Sequence, residues 1–282
     1  MLCPVTDPAN PSIGLIGYGE AGHTFASSAG WEGRAAAFDI DAARRAVMES
    51  DGVVPCADAA AALESAGLVL SLVTADAALK AARDAAPVLR QGALFCDMNS
   101  VAPGTKRAAA EAVHGAGGRY VDVAVLAPVN PARLRVPLLL AGPAADEAAA
   151  ALAAAGFANL RVVGEQVGRA SAIKMIRSVM VKGVEALTAE MMIAAEAAGV
   201  TDEVLASLDA SDRSDPWAAR AAYNVERMTT HGLRRAAEME EVARTLAELG
   251  VEPAMTSGTI DRQRQMAGHA DDWRDLRKGE AE

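Results

Sequence analysis

The chain has 282 residues, 51% of them hydrophobic and 23% charged, a balance that suits a globular fold with ample core. Its formal net charge of −10 argues against a nucleic-acid partner, which would favour a basic face. The cysteines (Cys3, Cys56 and Cys96) are widely spaced, no C-x-x-C pair occurs and the histidines are scattered, which excludes a zinc site and a disulfide framework and points to reduced thiols.

The first stretch, "MLCPVTDPANPS", lacks the basic segment and apolar core of a signal peptide. No apolar run reaches the roughly 18 residues of a membrane span, so a cytoplasmic location is expected. From residue 13 to about 164, short apolar runs alternate with alanine-rich segments of helical length. The runs are "IGLIGY", "RAAAFDI", "GLVLSLVT", "ALFCDMNS", "RYVDVAVLA", "PLLLAG" and "NLRVVG". Near-continuous apolar strands alternating with helices predict a parallel sheet covered on both faces.

After Gly164 the pattern changes. Apolar residues at Ile173, Ile176, Met180, Val184, Leu187, Met191 and Ala195 are spaced by three or four. They predict one long helix from Arg169 to about Ala198, roughly 45 Å in length. Further helices are expected at 201–210, 216–227, 231–250 and 256–268, with stops at Gly199, Gly232 and "GVEP". The fold class is therefore α/β, a Rossmann-type sheet domain over 12–165 followed by an all-α domain over 166–282.

The run "IGLIGYGEAG" closes on Gly17-x-Gly19-x-x-Gly22, with Tyr18, Glu20 and Ala21 between the glycines. A strand precedes the glycines, a helix follows, and a second strand ends at Asp39, 22 residues after Gly17. Together these are the parts of a dinucleotide site: a tight turn, a helix N-terminus for the pyrophosphate, and an acid for the ribose hydroxyls. A flavodoxin-like sheet with an unrelated glycine turn is the competing account. Asp39 favours NAD, with NADP as the alternative because Arg44 and Arg45 follow; such a pair also suits a solvated helix face.

Lys174 stands in the mostly apolar "VGRASAIKMIRSVMVKG". It either snorkels to the surface or exchanges a proton with a substrate hydroxyl or carbonyl during hydride transfer, a role that partial burial of a lysine favours.

The sequence resembles the β-hydroxyacid dehydrogenases, which include 3-hydroxyisobutyrate and 6-phosphogluconate dehydrogenases, over nearly its whole length. "IGLIGYGEAG" is similar to the family's cofactor motif, and "LSLVT" to the strand whose end contacts the cofactor, which implies roles for Val73 and Thr74. "DMNSVAPGTK" resembles D-x-S-[ST]-x-x-P and places Asn99 and Ser100 beside the nicotinamide. "VGRASAIKMIRS" resembles the segment carrying the family's catalytic lysine, on which Lys174 falls, with Ser178 where the family has asparagine.

In "DVAVLAPVNP", Asp122 and Val125 are kept, but Leu126, Ala127 and Pro128 replace a serine and two glycines that cradle a substrate carboxylate. The resemblance is strongest to a branch with a 6-phosphogluconate-dehydrogenase-like NAD-binding half and a distinct helical C-terminal domain. It implies hydride transfer between NAD(P) and a hydroxyl-bearing carbon of a small anionic substrate, with Lys174 as general acid/base, Ser100, Val125 and Ser178 at the substrate, and a homodimer. His231 and Arg234, with Arg235, fall within one helical turn and suit an anionic substrate or a solvated helix start. His23 reads as a packing residue. A non-catalytic dinucleotide sensor and an imine reductase on the same fold are the alternatives.

Overall fold

The computed structural model describes residues 12–211 and 216–269. Cys3, the N-terminal stretch and the last residues of the helical half lie outside them. In chain order the elements are β1 (Ile13–Ile16), α1 (Glu20–Ala29), β2 (Ala35–Phe38), α2 (Arg44–Ser50), β3 (Val54–Pro55), α3 (Ala59–Leu63), β4 (Leu68–Ser71), α4 (Ala78–Ala85), β5 (Leu94–Asp97), α5 (Pro103–Gly115), β6 (Arg119–Val125), β7 (Leu138–Ala141), α6 (Ala145–Ala154) and β8 (Leu160–Val162). Then follow α7 (Arg169–Ala198), α8 (Thr201–Ser211), α9 (Trp217–Glu248) and α10 (Ala254–Met266).

The strands form one eight-stranded sheet in the order β3-β2-β1-β4-β5-β6-β7-β8, parallel except where β7 runs against β6. The alternation of side chains explains why the strands read as unbroken apolar runs. Leu68, Leu70, Leu94 and Cys96 join one buried cluster with Phe25, Trp31 and Phe157, whereas Val69 and Phe95 join another on the opposite face with Leu63, Val113 and Tyr120. Both faces must therefore be apolar. On the first face Phe25 meets Phe157 edge to face at 5.0 Å, and buried Trp31 donates its indole N–H to the Ala155 carbonyl at 2.9 Å.

The order reverses between β1 and β4, so the loops after these strands diverge and leave a crevice at the carboxyl ends. In open α/β sheets that is where ligands bind. The sheet and the helices that follow it have the arrangement expected from the sequence, with three differences. Strand β7 runs antiparallel to β6 where the apolar runs predict a parallel sheet, because the connection between them carries no crossover α-helix. Strand β3, only two residues long, carries no apolar run to betray it. The two helices expected over 216–250 are one 32-residue helix, α9, which runs through Gly232. A Cβ at Gly232 would collide with the Gln263 carbonyl oxygen and press on Ala267, so this glycine is a close approach of α9 to the α10 end of the chain rather than a stop.

The chain divides into two compact units between Ser178 and Val179. Within the second, Glu190 of α7 caps α10: its carboxylate accepts the Met255 amide at 2.7 Å, the Thr256 amide at 2.9 Å and the Thr256 hydroxyl at 2.6 Å. Among the described residues no helix is long and apolar enough to cross a membrane.

Candidate functional site

The glycine turn is built from β1 outward. Gly17 has φ +92°, and a Cβ there would lie 2.5 Å from the Leu72 carbonyl oxygen at the end of β4. Gly22, inside α1, sits so close to the Gly17 carbonyl that a Cβ would be 2.9 Å from it. Gly19 differs: a Cβ there would meet nothing within 4 Å, so its open side faces free space at the α1 N-terminus. Two glycines are thus demanded by packing and one by nothing within the protein, which fits a backbone that a pyrophosphate approaches.

Asp39 closes the turn from β2. Its Oδ2 accepts the Tyr18 backbone N–H at 2.6 Å and its Oδ1 accepts the Asp41 N–H at 2.8 Å. The Tyr18 ring is buried and its hydroxyl donates to Asp51 Oδ2 at 2.7 Å; the same oxygen lies 2.7 Å from His23 Nδ1. Burial first, and then the Asp51 carboxylate, push the Tyr18 phenol far above its usual range, so it serves as a fixed donor. His23 therefore takes part in the anchoring of the turn, beyond the packing role expected of it.

A cleft of about 360 Å³ opens beside this turn, lined by Glu20, Ala21, Leu72, Val73, Ala75, Met98, Asn99, Ser100, Val125, Ala127, Pro128, Val129 and Lys174. Seven of the residues singled out in the sequence for the cofactor and substrate line it: Glu20, Ala21, Val73, Asn99, Ser100, Val125 and Lys174. Lys174, half-buried in the first turns of α7, donates from Nζ to Ser100 Oγ at 2.5 Å. Asn99 is buried and both ends of its amide are engaged: Oδ1 accepts the Val73 N–H at 2.7 Å and Nδ2 donates to Ser71 Oγ at 2.9 Å. It thereby locks the loop after β4 to the loop after β5.

The Thr74 hydroxyl supports the carboxylate of Asp76, which it holds below the usual carboxylate range. Ser178 Oγ donates to the Lys174 carbonyl at 2.9 Å, within its own helix. His231 and Arg234 are exposed one turn apart on α9, in the second unit.

The loop at 126–128 borders the cleft through Ala127 and Pro128. The Leu126 N–H is taken by the Pro137 carbonyl at 2.9 Å, its carbonyl accepts Arg177 Nη1 at 3.2 Å, and Pro128 has no N–H.

Beneath the cleft lies a charged cluster that the sequence did not advertise. Lys106 is 0% exposed; its Nζ donates to the Asp97 carbonyl at 2.6 Å and to Asp97 Oδ1 at 2.9 Å, and lies 3.6 Å from Asp122 Oδ1. The Tyr120 hydroxyl donates to Asp97 Oδ2 at 2.6 Å; burial, and then the Asp97 carboxylate, raise that phenol far above its usual range. Asp122 Oδ2 accepts the Gly168 N–H at 3.1 Å, the Ser171 N–H at 3.0 Å and the Ser171 hydroxyl at 3.2 Å, and so caps α7. The available signal was a lone lysine in the first turn of an alanine-rich helix, nine residues after an aspartate ending an apolar strand.

The model of the NAD binding domain of 6-phosphogluconate dehydrogenase matches residues 12–164, and that of a domain of unknown function, DUF1932, matches residues 195–266. A conserved hypothetical protein from Sinorhizobium meliloti 1021, of known structure, is 41% identical over 90% of this chain and 87% of its own, with a TM-score of 0.60. A conserved protein of unknown function, whose structure is similar to 3-hydroxyacid dehydrogenases, is 30% identical over 90% of this chain and 96% of its own, with a TM-score of 0.60. The imine reductase of Streptomyces aurantiacus shares the fold at 23% identity over 95% of this chain and 99% of its own, with a TM-score of 0.75.

Proposed function

The chain belongs to the family of the NAD binding domain of 6-phosphogluconate dehydrogenase, and on that footing we propose that it is an oxidoreductase working on a small carbonyl or hydroxyl compound with NAD, NADP being the alternative cofactor. Residues 12–165 would hold the dinucleotide: Gly17, Gly19 and Gly22 with the intervening Tyr18, Glu20 and Ala21 at the pyrophosphate, Asp39 at the adenosine ribose, and Val73, Thr74 and Asn99 towards the nicotinamide. Residues 166–282 would form an α-helical substrate and dimerisation domain. About half-exposed apolar positions on α7, such as Met180, Val184 and Leu187, support a second copy as their cover.

Held by those residues, the dinucleotide would supply or take up a hydride at the substrate carbon. Lys174 does the proton chemistry: its ammonium gives a proton to the carbonyl oxygen as reduction proceeds, and its amine accepts the hydroxyl proton in the reverse direction. Ser100 holds Nζ in place and shares the substrate oxygen, while Val125 packs the opposite wall. The observation carrying this reading is the Lys174–Ser100 hydrogen bond inside the cleft that adjoins the glycine turn. Ser178, His231 and Arg234 remain proposals for substrate contact. A Lys174→Ala variant tests the assignment: turnover should fall by about two to four orders of magnitude with dinucleotide binding retained. Unchanged turnover would remove Lys174 from the chemistry.

Where the resemblance implies a small anionic substrate, the occupied amide of Leu126 and the missing one at Pro128 support one whose charge is not held at those two positions. The same observation favours a second reading, reduction of a C=N bond, in which the substrate nitrogen takes up the proton. A spectrophotometric screen of hydroxy acids, semialdehydes and cyclic imines against both cofactors separates the two.

A further inference from the structure

We infer that the buried Asp97–Lys106–Asp122 cluster is the device that sets Lys174 against Ser100, which makes Lys106 a positioning residue for the proposed proton donor. The inference rests on the assignment of Lys174 above for its functional meaning, though its geometry stands without it. Each half of the Lys174–Ser100 pair is tied to one of the two aspartates. On the Ser100 side, Asp97 Oδ1 accepts the Asn99 N–H at 2.9 Å, one residue before Ser100. On the lysine side, Asp122 Oδ2 gathers three donors from Gly168 and Ser171, one turn before Lys174 on the same helix. A single ammonium, Lys106 Nζ, stands between the two carboxylates, 2.9 Å from one and 3.6 Å from the other.

Physical chemistry gives this arrangement its rigidity. All three side chains are at most 1% exposed, so none can relax into water. Two carboxylates buried side by side repel unless a cation lies between them, and Asp122 Oδ1 has no hydrogen-bond partner among the described residues, which leaves Lys106 to balance it. Removing that ammonium would push the carboxylates apart, and with them the start of α7 and the loop after β5. The Lys174–Ser100 separation is the distance between those two segments.

The test reads Lys174 directly and needs no substrate. The intact protein is treated briefly with acetic anhydride, and acetylation of Lys174 relative to Lys80, which lies on α4, is measured by peptide mass spectrometry. In Lys106→Met the ratio should rise about fivefold, the factor one hydrogen bond is worth, as Nζ loses its hold on Ser100. Ser171→Ala and Tyr120→Phe each remove one hydrogen bond from a carboxylate without stranding a buried charge; they should raise the ratio in the same sense and carry the test if Lys106→Met does not fold. A cluster that only stabilises the fold would lower the unfolding midpoint of these variants and leave the ratio at the parent value, and that result would overturn the inference. Because acetylation is scored without turnover, such a failure is distinct from a failure of Lys174→Ala to abolish activity.

Discussion

The carboxylate of Asp39 accepts the backbone N–H of Tyr18 at 2.6 Å, so the end of β2 is fastened to the middle of the glycine turn. One oxygen of the acid shapes the turn while the other holds the Asp41 amide. An Asp39→Ala change should therefore act twice, loosening the turn and removing the acceptor for the ribose hydroxyls. NADH affinity, measured by fluorescence titration, should fall by about ten- to a hundredfold, the loss of one or two hydrogen bonds to a charged group. NADPH affinity should fall less, because the repulsion of its 2′-phosphate disappears as well. An equal loss for both cofactors would reduce Asp39 to a structural role.

The glycines of the turn divide by what surrounds them. Gly19→Ala should fold as the parent does, since a Cβ meets nothing within 4 Å, yet bind NADH at least about tenfold more weakly. Gly17→Ala should instead destabilise the protein by about 1–3 kcal/mol, because its φ of +92° and the nearby Leu72 carbonyl both oppose a side chain. Chemical denaturation alongside NADH titration gives both quantities. If Gly19→Ala bound NADH normally, the pyrophosphate would not pass over that turn.

The loop at 126–128 makes a prediction about substrates. With the Leu126 amide bonded to Pro137 and no amide at Pro128, the parent should discriminate little between succinate semialdehyde and its methyl ester. Replacing Leu126, Ala127 and Pro128 together by Ser, Gly and Gly should raise kcat/KM for the anion over the ester by about tenfold, the value of one charge-assisted hydrogen bond. An unaltered ratio would place the substrate away from this loop.

The features legible in the sequence were those made by neighbours along the chain. Gly17, Gly19, Gly22 and Asp39 span a single strand-helix-strand unit, and the long helix from Arg169 to Ala198 has a periodicity that needs no partner. What escaped was set by contacts between distant segments. Gly232 reads as a stop until α10 is seen against it, and then it is the only residue type that fits. Lys106 goes unmarked in the sequence because strands β5 and β6 bring Asp97 and Asp122 to it, an encounter no local pattern encodes. Ser178 stands four residues after Lys174, and its hydroxyl donates to the Lys174 carbonyl within the same helix, a bond that the spacing alone does not announce.

Glu190 links stability of the helical unit to pH. Desolvation acts to raise its pKa, but the hydrogen bonds from Thr256 and Met255 outweigh that and hold the carboxyl below its ordinary value of 4.5. A group whose pKa is lower folded than unfolded contributes stability above the unfolded value and loses it as pH falls through the folded one. The cap on α10 should therefore be intact at neutral pH and fail on acidification below about 4.5. Glu190→Ala should cost about 1 kcal/mol at neutral pH, as for loss of a helix N-cap, and the cost should shrink towards zero at low pH. Denaturation across this range, with amide exchange at Met255 and Thr256 as the local reading, checks both. A cost that stayed constant with pH would mean that the bulk of the side chain, rather than its charge, secures α10.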